Sequence, residues 1–311
     1  MERKNGLKHN LTYTLVLLLF SIFFLSSKVF AKFAKQDFAA PRAYKFEKYY
    51  DNEKRDFQNY SRRGRGPQKY ALIIGQNNYS TQPLKTCVND AKAMAKVFAK
   101  NLYIPKKNIR LLLDKEVDKN TILKALDSLS KTTRPGDKVF FYYSGHSIRT
   151  YDNISGEKST SLLFVTGEKL SARRFTKSIN KINATKILFF DSCYAGGMIT
   201  KQYNKANYKT GSSFSKAYVI ASSRYNQVSM TIPLYKHSRF TYFLREAILN
   251  NRADKNNDGK LSLKEVFSWT KKYTLLFGEK YGALHNPIIF GNNPSTIILN
   301  EKQNKTEPNA I

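Results

Sequence analysis

The sequence predicts an α/β domain built on a doubly wound, mostly parallel sheet with helices on both faces. Three observations predict it. Short apolar runs, each the length of a strand buried on both faces, recur from residue 69 onward. Amphipathic stretches of helical period separate the early ones, which is the alternation of a parallel sheet. Two of the runs end in reactive side chains, and open α/β sheets gather function at the carboxyl ends of their strands.

Before the first strand the chain reads differently. MERKNGLKHN is a basic start, Leu11 to Ser27 carries no charge, and Val29-Phe30-Ala31 places small residues around a cut after Ala31. Residues 1–31 therefore read as a secretory signal peptide, giving a secreted or periplasmic mature chain. The alternative is an uncleaved membrane anchor, since about 17 apolar residues lie near the lower limit for a bilayer span. Residues 32–67 are charged, Tyr-rich and without apolar periodicity, ending in an Arg/Gly run and Pro67, and read as a basic flexible linker or prodomain.

The strands follow in order: KYALIIG (69–75), NIRLLLD (108–114), KVFFYYSG (138–145), KILFFDSC (186–193) and AYVIASS (217–223). Asn89 to Lys100, Asn120 to Ser130 and Ser171 to Ile182 read as helices between them, with two more at Phe240 to Asn251 and Leu263 to Phe277. NPIIFG (286–291) and TIILN (296–300) are expected as short closing strands. The domain thus runs over 68–300, followed by a polar tail at 301–311.

Composition bounds the function. The chain has 311 residues, 41% of them hydrophobic, enough to bury a real core and to exclude a wholly disordered or collagen-like protein. Two cysteines exclude a disulfide-rich scaffold and a four-cysteine zinc site. The net charge of +30 is spread along the chain rather than concentrated with aromatics on one element. It reads as a self-repelling surface with adventitious polyanion binding at low salt, and no specific nucleic-acid partner.

His146 ends one predicted strand and Cys193 another, a pairing that supplies a nucleophile and a base. The imidazole can take the thiol proton while the sulfur attacks a carbonyl. Gly196 and Gly197 allow close backbone approach, and amides following Cys193 can face a developing oxyanion. His237 and His285 lie outside these blocks and read as structural or solvated. Trp269 reads as packing, and both cysteines as thiols.

YALIIGQNNY, LKTCVND, NIRLLLD, FFYYSGH, ILFFDSCYAGG, YVIASS and FTYFLREAI, in this order, resemble the bacterial caspase-like and metacaspase cysteine peptidases. The legumain-like group is a more distant likeness. The resemblance covers about residues 69–292 and implies a sheet of caspase-like type, His146 as general base or imidazolium partner and Cys193 as nucleophile. It also implies oxyanion donors at the backbone of Ser147 and Cys193. The family usually has glycine where this chain has Ser147, and a positive φ there would strain a serine. The stretch after Ser147 also lacks the acidic cluster by which calcium-dependent metacaspases bind their ion.

The metacaspase likeness further implies a pocket for a basic P1 residue at Cys87, Asp90, Ser144 and Asp191. The residues themselves agree in one respect: Asp191 stands two before Cys193, so both side chains project to one face of the strand. The other reading has Asp90 and Asp191 merely anchoring strand-end turns. An enzyme cutting after Arg or Lys would find sites in its own chain at Arg63, Arg65, Lys201, Lys205 and Lys209.

Separately, DKNNDGKLSLKE (254–265) carries the EF-hand pattern. Asp254, Asn256, Asp258, Ser262 and Glu265 are at ligand positions, Lys260 at the backbone-carbonyl position and Gly259 at the sharp turn. Catalysis needs no cofactor, and Ca²⁺ at this loop would brace two helices. An Asx-rich turn without metal is the alternative. The leading expectation is a secreted cysteine endopeptidase acting on proteins or peptides. The runner-up is a catalytically silent caspase-like scaffold that binds peptides or partners, and the third a basic polyanion-binding protein.

Overall fold

The computed structural model describes residues 66–151, 158–199, 214–232, 236–281, 283 and 285–301. The expected signal peptide, most of the linker, the self-cleavage candidates Arg63, Arg65, Lys201, Lys205 and Lys209, and residues 302–311 lie outside the described residues. Among those described, no helix is long and apolar enough to cross a membrane.

Among the described residues, six strands form the central sheet. They are β1 (Lys69–Gly75), β2 (Ile109–Leu113), β3 (Lys138–Ser144), β7 (Thr185–Asp191), β8 (Ala217–Ala221) and β11 (Ile288–Phe290), in the order β11-β8-β7-β3-β1-β2; β9 (Thr231–Ile232) and β10 (His237–Ser238) pair apart from it. All neighbours pair in parallel except β11, which runs antiparallel to β8 at one edge. The chain winds outward from β1 to β2, crosses back to β3, and continues to β7 and β8. The switch point therefore lies between β1 and β3, where α/β sheets leave a crevice outside their carboxyl ends. Every residue of β1 is buried, as is all of β3 and β7 beyond the first residue, which is why these segments read as unbroken apolar runs.

Two helices, α2 (Lys119–Thr132) and α3 (Ala172–Ile179), cover one face. There Phe141, Phe190 and Phe175 pack ring to ring at 4.9–5.5 Å. The other face receives α1 (Cys87–Asn101), whose Phe98 meets Phe140 and Phe189. It also receives α4 (Arg239–Ile248), whose Thr241 hydroxyl bonds that of Tyr142. Gly75 lets α1 cross the end of β1, because a Cβ there would lie 2.5 Å from Cys87 O. Side chains cap the helix starts: Asp118 bonds Thr121 N, Ser171 bonds Arg174 N and Ser238 bonds Thr241 N. A long helix, α5 (Leu263–Tyr281), packs on α4 through Phe243, Trp269, Tyr273 and Phe277.

Two features depart from the sequence expectation. A three-stranded antiparallel sheet, β4 (Ser147–Tyr151), β5 (Lys158–Leu163) and β6 (Lys169–Ser171), follows the histidine where no strand was predicted. Its strands are short and rich in Ser and Thr, so no apolar alternation announces them. Conversely, the run TIILN is not a strand of the sheet. Only Ile298 makes a bridge, to Ser262, while Leu263 N bonds Ile297 O and Leu299 N bonds Leu261 O. Those residues are apolar because they close over the entry to α5.

The amino ends of the strands are sealed by lysines. Lys69 Nζ donates to the carbonyls of Leu102, Leu299 and Glu301 at 2.8, 2.9 and 2.5 Å. Lys138 Nζ bonds Ile298 O and the Glu301 carboxylate, and Lys186 Nζ bonds Ile182 O. Burial pushes Lys69 and Lys186 down to about 8.

Candidate active site

Parallel pairing of β3 with β7 sets Ser144 opposite Asp191. His146 and Cys193 each follow two residues later, so they leave adjacent strands at the same level, at a spacing of about 4.8 Å between strands. The two turns touch: Gly145 N bonds Asp191 O, and the Ser147 hydroxyl donates to the carbonyl of Cys193 and lies 2.9 Å from Ser192 Oγ. The structure thus brings the two predicted catalytic residues to one place.

His146 is held on three sides. Its backbone N–H donates to the Tyr79 hydroxyl at 2.9 Å, and the Tyr79 ring packs 4.5 Å from the imidazole. Gly145 is required here, since a Cβ would lie 2.6 Å from that hydroxyl. Nε2 lies 2.7 Å from the backbone carbonyl of Gln82. A carbonyl only accepts, so Nε2 carries the hydrogen and Nδ1 is left as the basic nitrogen. Gln82 itself stands in the left-handed region at φ 54. The sequence offered no sign of it, because it contributes only a main-chain oxygen.

Cys193 is half-buried, and burial pushes its thiol up, with Asp191 adding to the effect and the Ser229 N–H opposing it. The resting sulfur is a thiol, so the reaction requires the base to remove its proton as attack proceeds. Neighbouring backbone N–H groups are spent: Ser192 N on Ser222 Oγ, Tyr194 N on Gln227 O, Ala195 N on Ser223 Oγ and Gly196 N on Ser223 O. That of Cys193, among the described residues, faces its own thiol.

Ser147 is not among the residues with positive φ, so the strain expected of a serine there is absent. Leu163 N bonds His146 O, which makes Ser147 and Leu162 a non-hydrogen-bonded pair of the β4–β5 ladder. The Ser147 N–H therefore points away from β5. Among the described residues, neither expected oxyanion donor has its amide bonded to another residue.

The four expected substrate-pocket residues also assemble. Cys87 lies beside Ser144 and Thr86 and within electrostatic reach of Asp90 and Asp191; burial drives its thiol far up. Asp191 accepts from the hydroxyls of Ser229 (2.9 Å), Thr241 (2.6 Å) and Ser238. Burial, with the Asp90 charge adding to it, raises its carboxyl to about 6. Asp90 accepts from Ser238 N and lies 2.5 Å from His237 Nδ1, and burial raises it too. Arg245 reaches His237 Nε2 at 3.2 Å and can only donate, so Nδ1 carries the hydrogen to Asp90. His237 is thus a buried member of this cluster, not a solvated residue. Its place just before the cap of α4 was the available signal. His285 is buried, accepts from Met230 N, and is held neutral, its imidazole pushed by burial down to about 3.

The Asp254–Glu265 loop closes on itself. Asp254 accepts from Asp258 N and Gly259 N, Gly259 has φ 75, and Asp258 accepts from Lys260 N. Glu265 bonds the amide and hydroxyl of Ser262 and reaches Lys255 N, forming a capping box for α5. Asn256 bonds Asp258. Among the described residues no three His, Cys, Asp or Glu side chains are gathered to hold a metal. The side chains at these positions are oxygen donors of the kind a hard cation takes, and Gly259 makes the sharp turn.

Comparison with known proteins gives the family. Metacaspase-1A of Aspergillus oryzae is 27% identical over 150 residues, 43% of this chain and 36% of that protein. Metacaspase-1 of Plasmodium berghei is 39% identical over 102 residues, 30% of this chain and 17% of that one. Metacaspase-2 of Arabidopsis thaliana is 34% identical over 97 residues, 29% and 23% of the two chains. The aligned parts thus span less than half the length of these relatives. A crystal structure of a Geobacter sulfurreducens protein shares the fold, with a TM-score of 0.56 and 18% identity over 76% of this chain and 98% of that one. Residues 68–273, well over half the sequence, match the family described as the caspase domain. The chain belongs to the caspase domain family, and its fold is that of the metacaspase-like cysteine peptidases.

Proposed function

We propose that this protein is a cysteine endopeptidase that cleaves peptide bonds after Arg or Lys by a Cys193–His146 dyad. The observation that carries the reading is the paired exit of the two residues from β3 and β7, with Gln82 fixing the tautomer that leaves His146 Nδ1 basic. Cys193 Sγ attacks the scissile carbonyl carbon while its proton passes to His146. The oxyanion then meets the N–H groups of Cys193 and Ser147. The imidazolium returns the proton to the leaving amine, giving a thioester. Water, deprotonated by His146, releases the carboxylic acid and restores the thiol.

The basic P1 preference rests on Asp191 and Asp90 beside this turn. Asp191 is met by three hydroxyls, which leave its charge to attract a cation by charge-assisted bonds. Its metacaspase relatives favour the same class of enzyme. Export by residues 1–31 and a Ca²⁺ bound at Asp254, Asn256, Asp258, Lys260, Ser262 and Glu265 belong to the same proposal. They are supported by the signal-peptide pattern and by the loop's turn at Gly259. Cleavage-site profiling on a peptide library tests the reading: cuts after Arg or Lys, absent in Cys193→Ala, are expected. Cuts after Asp, or cuts that survive the substitution, would overturn it.

A further inference from the structure

The turn that carries Cys193 is gripped by hydroxyls on three successive carbonyls. Ser192 O accepts from Ser222 Oγ and Ser223 Oγ at 3.2 and 3.1 Å, at the end of β8. Cys193 O accepts from Ser147 Oγ on β4, and Tyr194 O accepts from Thr160 Oγ1 on β5 at 2.9 Å. Ser222 and Ser223 directly follow β8 of the central sheet. Ser147 and Thr160 belong to the accessory sheet, and they share a face of it. Arg149 is the cross-strand partner of Thr160 and, two residues from Ser147, projects to that same face. Its guanidinium lies over the Tyr194 ring, 4.7 Å from the centroid.

The grip has something to hold. Tyr194 is left-handed, φ 56, a conformation that strains a non-glycine residue and persists where the surroundings impose it. Contact with the accessory sheet is close: a Cβ on Gly197 would lie 2.0 Å from Thr160 Oγ1, so the glycine is what admits the hydroxyl. Thr160 and Ser147 are both buried, so each hydroxyl is committed to the turn rather than to water. Fixing three carbonyls in one sense fixes the intervening N–H groups in the other, and these include the amide of Cys193.

We propose that Ser147 and Thr160 are positioning residues, which hold the Cys193 turn in its reactive conformation from the accessory sheet. The inference rests on the peptidase reading above. It assigns the Ser147 hydroxyl a role of its own, apart from the backbone amide at that position. Replacing Thr160 by the isosteric valine removes the bond to Tyr194 O while keeping the shape.

The test compares Thr160→Val, Thr160→Ser, Ser147→Gly and wild type for turnover of a P1-Arg peptide and for the rate at which a peptidyl electrophile labels Cys193. Thr160→Val is expected to lower kcat and the labelling rate about ten-fold with KM within about two-fold, since misplacement of a reacting group acts on kcat. Thr160→Ser, which keeps the hydroxyl, restores the rate. Ser147→Gly lowers labelling in the same way. Should Thr160→Val not fold, Thr160→Ala replaces it against the same Thr160→Ser control. Wild-type rates in Thr160→Val or in Ser147→Gly, or an equal loss in Thr160→Ser, overturn the inference. A wild type that neither cleaves nor labels instead overturns the peptidase reading.

Discussion

The two ends of the same strands are built on opposite terms. At the amino ends, Lys69, Lys138 and Lys186 donate to carbonyls of chain crossing beneath the sheet. At the carboxyl ends stand two buried carboxylates raised by burial, a half-buried thiol and a left-handed tyrosine. One end spends its polar groups on closing the fold. The other keeps reactive groups and uncommitted amides, and their burial costs stability that the rest of the sheet must offset. The difference teaches where substitution should cost rate and where it should cost stability.

The largest expected effect is at the carboxyl end. Cys193→Ala and His146→Ala should each lower kcat/KM by about 10³-fold or more while moving the melting temperature little. Equal losses of rate and stability would erase the contrast. Next is Asp191→Asn, which should reduce discrimination between P1 Arg and its uncharged analogue by about 10²-fold, as a buried charge-assisted contact is lost.

Asp191→Asn should also change how stability responds to pH. The unfolded carboxyl titrates near 3.9 and the native one at about 6, so between these values the native state holds the extra proton. This contribution is complete below about pH 4 and is lost as pH rises through 6, a difference on the order of 2–3 kcal/mol. Denaturant melts of wild type and Asp191→Asn across pH 4–7 should show this falling contribution in wild type alone. His285 works in the opposite sense. Its native pKa of about 3 lies below the unfolded value near 6.5, so its contribution is present above 6.5 and lost as pH falls toward 3. The difference between the two proteins, not the raw slope, isolates Asp191.

At the amino end, Lys69→Met should cost about 1–3 kcal/mol by leaving the carbonyls of Leu102 and Leu299 unpaired. Its kcat per titrated active site should stay within two-fold of wild type, roughly the noise of such comparisons. The smallest effect concerns the loop at 254–265, whose Leu261 pairs with Leu299 in the segment that Lys69 holds. Millimolar Ca²⁺ should raise the melting temperature by a few degrees, roughly, and Asp254→Ala with Glu265→Ala should abolish the shift. An unchanged response in the double variant would reduce the loop to a turn.

Legibility in the sequence followed burial. β1, β3 and β7 were plain because both faces are covered, so apolar side chains run unbroken. The accessory sheet was invisible because SIRTY and KSTSLL carry no apolar alternation, their stability coming from pairing and from contact with the Cys193 turn. TIILN misled for the converse reason: it is apolar because it covers the start of α5, not because it joins the sheet. In the site, His146, Cys193 and Asp191 were legible as reactive types at strand ends, while Asp90 came only with the family resemblance. Gln82 and Thr160 were not, since a main-chain oxygen and a single hydroxyl leave no pattern. For His237 the choice between structural and solvated stayed open, because its partner Asp90 lies far along the chain and meets it only through the packing of α1 against α4.

The central claim is that His146 activates Cys193 at the carboxyl end of β3 and β7. Titration with a peptidyl-Arg electrophile, followed by mapping of the modified residue, tests it most directly. The account predicts one label per chain on Cys193, labelling slowed by at least about 10²-fold in His146→Ala, and none on the buried Cys87. Labelling of Cys87, or a Cys193 that reacts equally fast without His146, would contradict it.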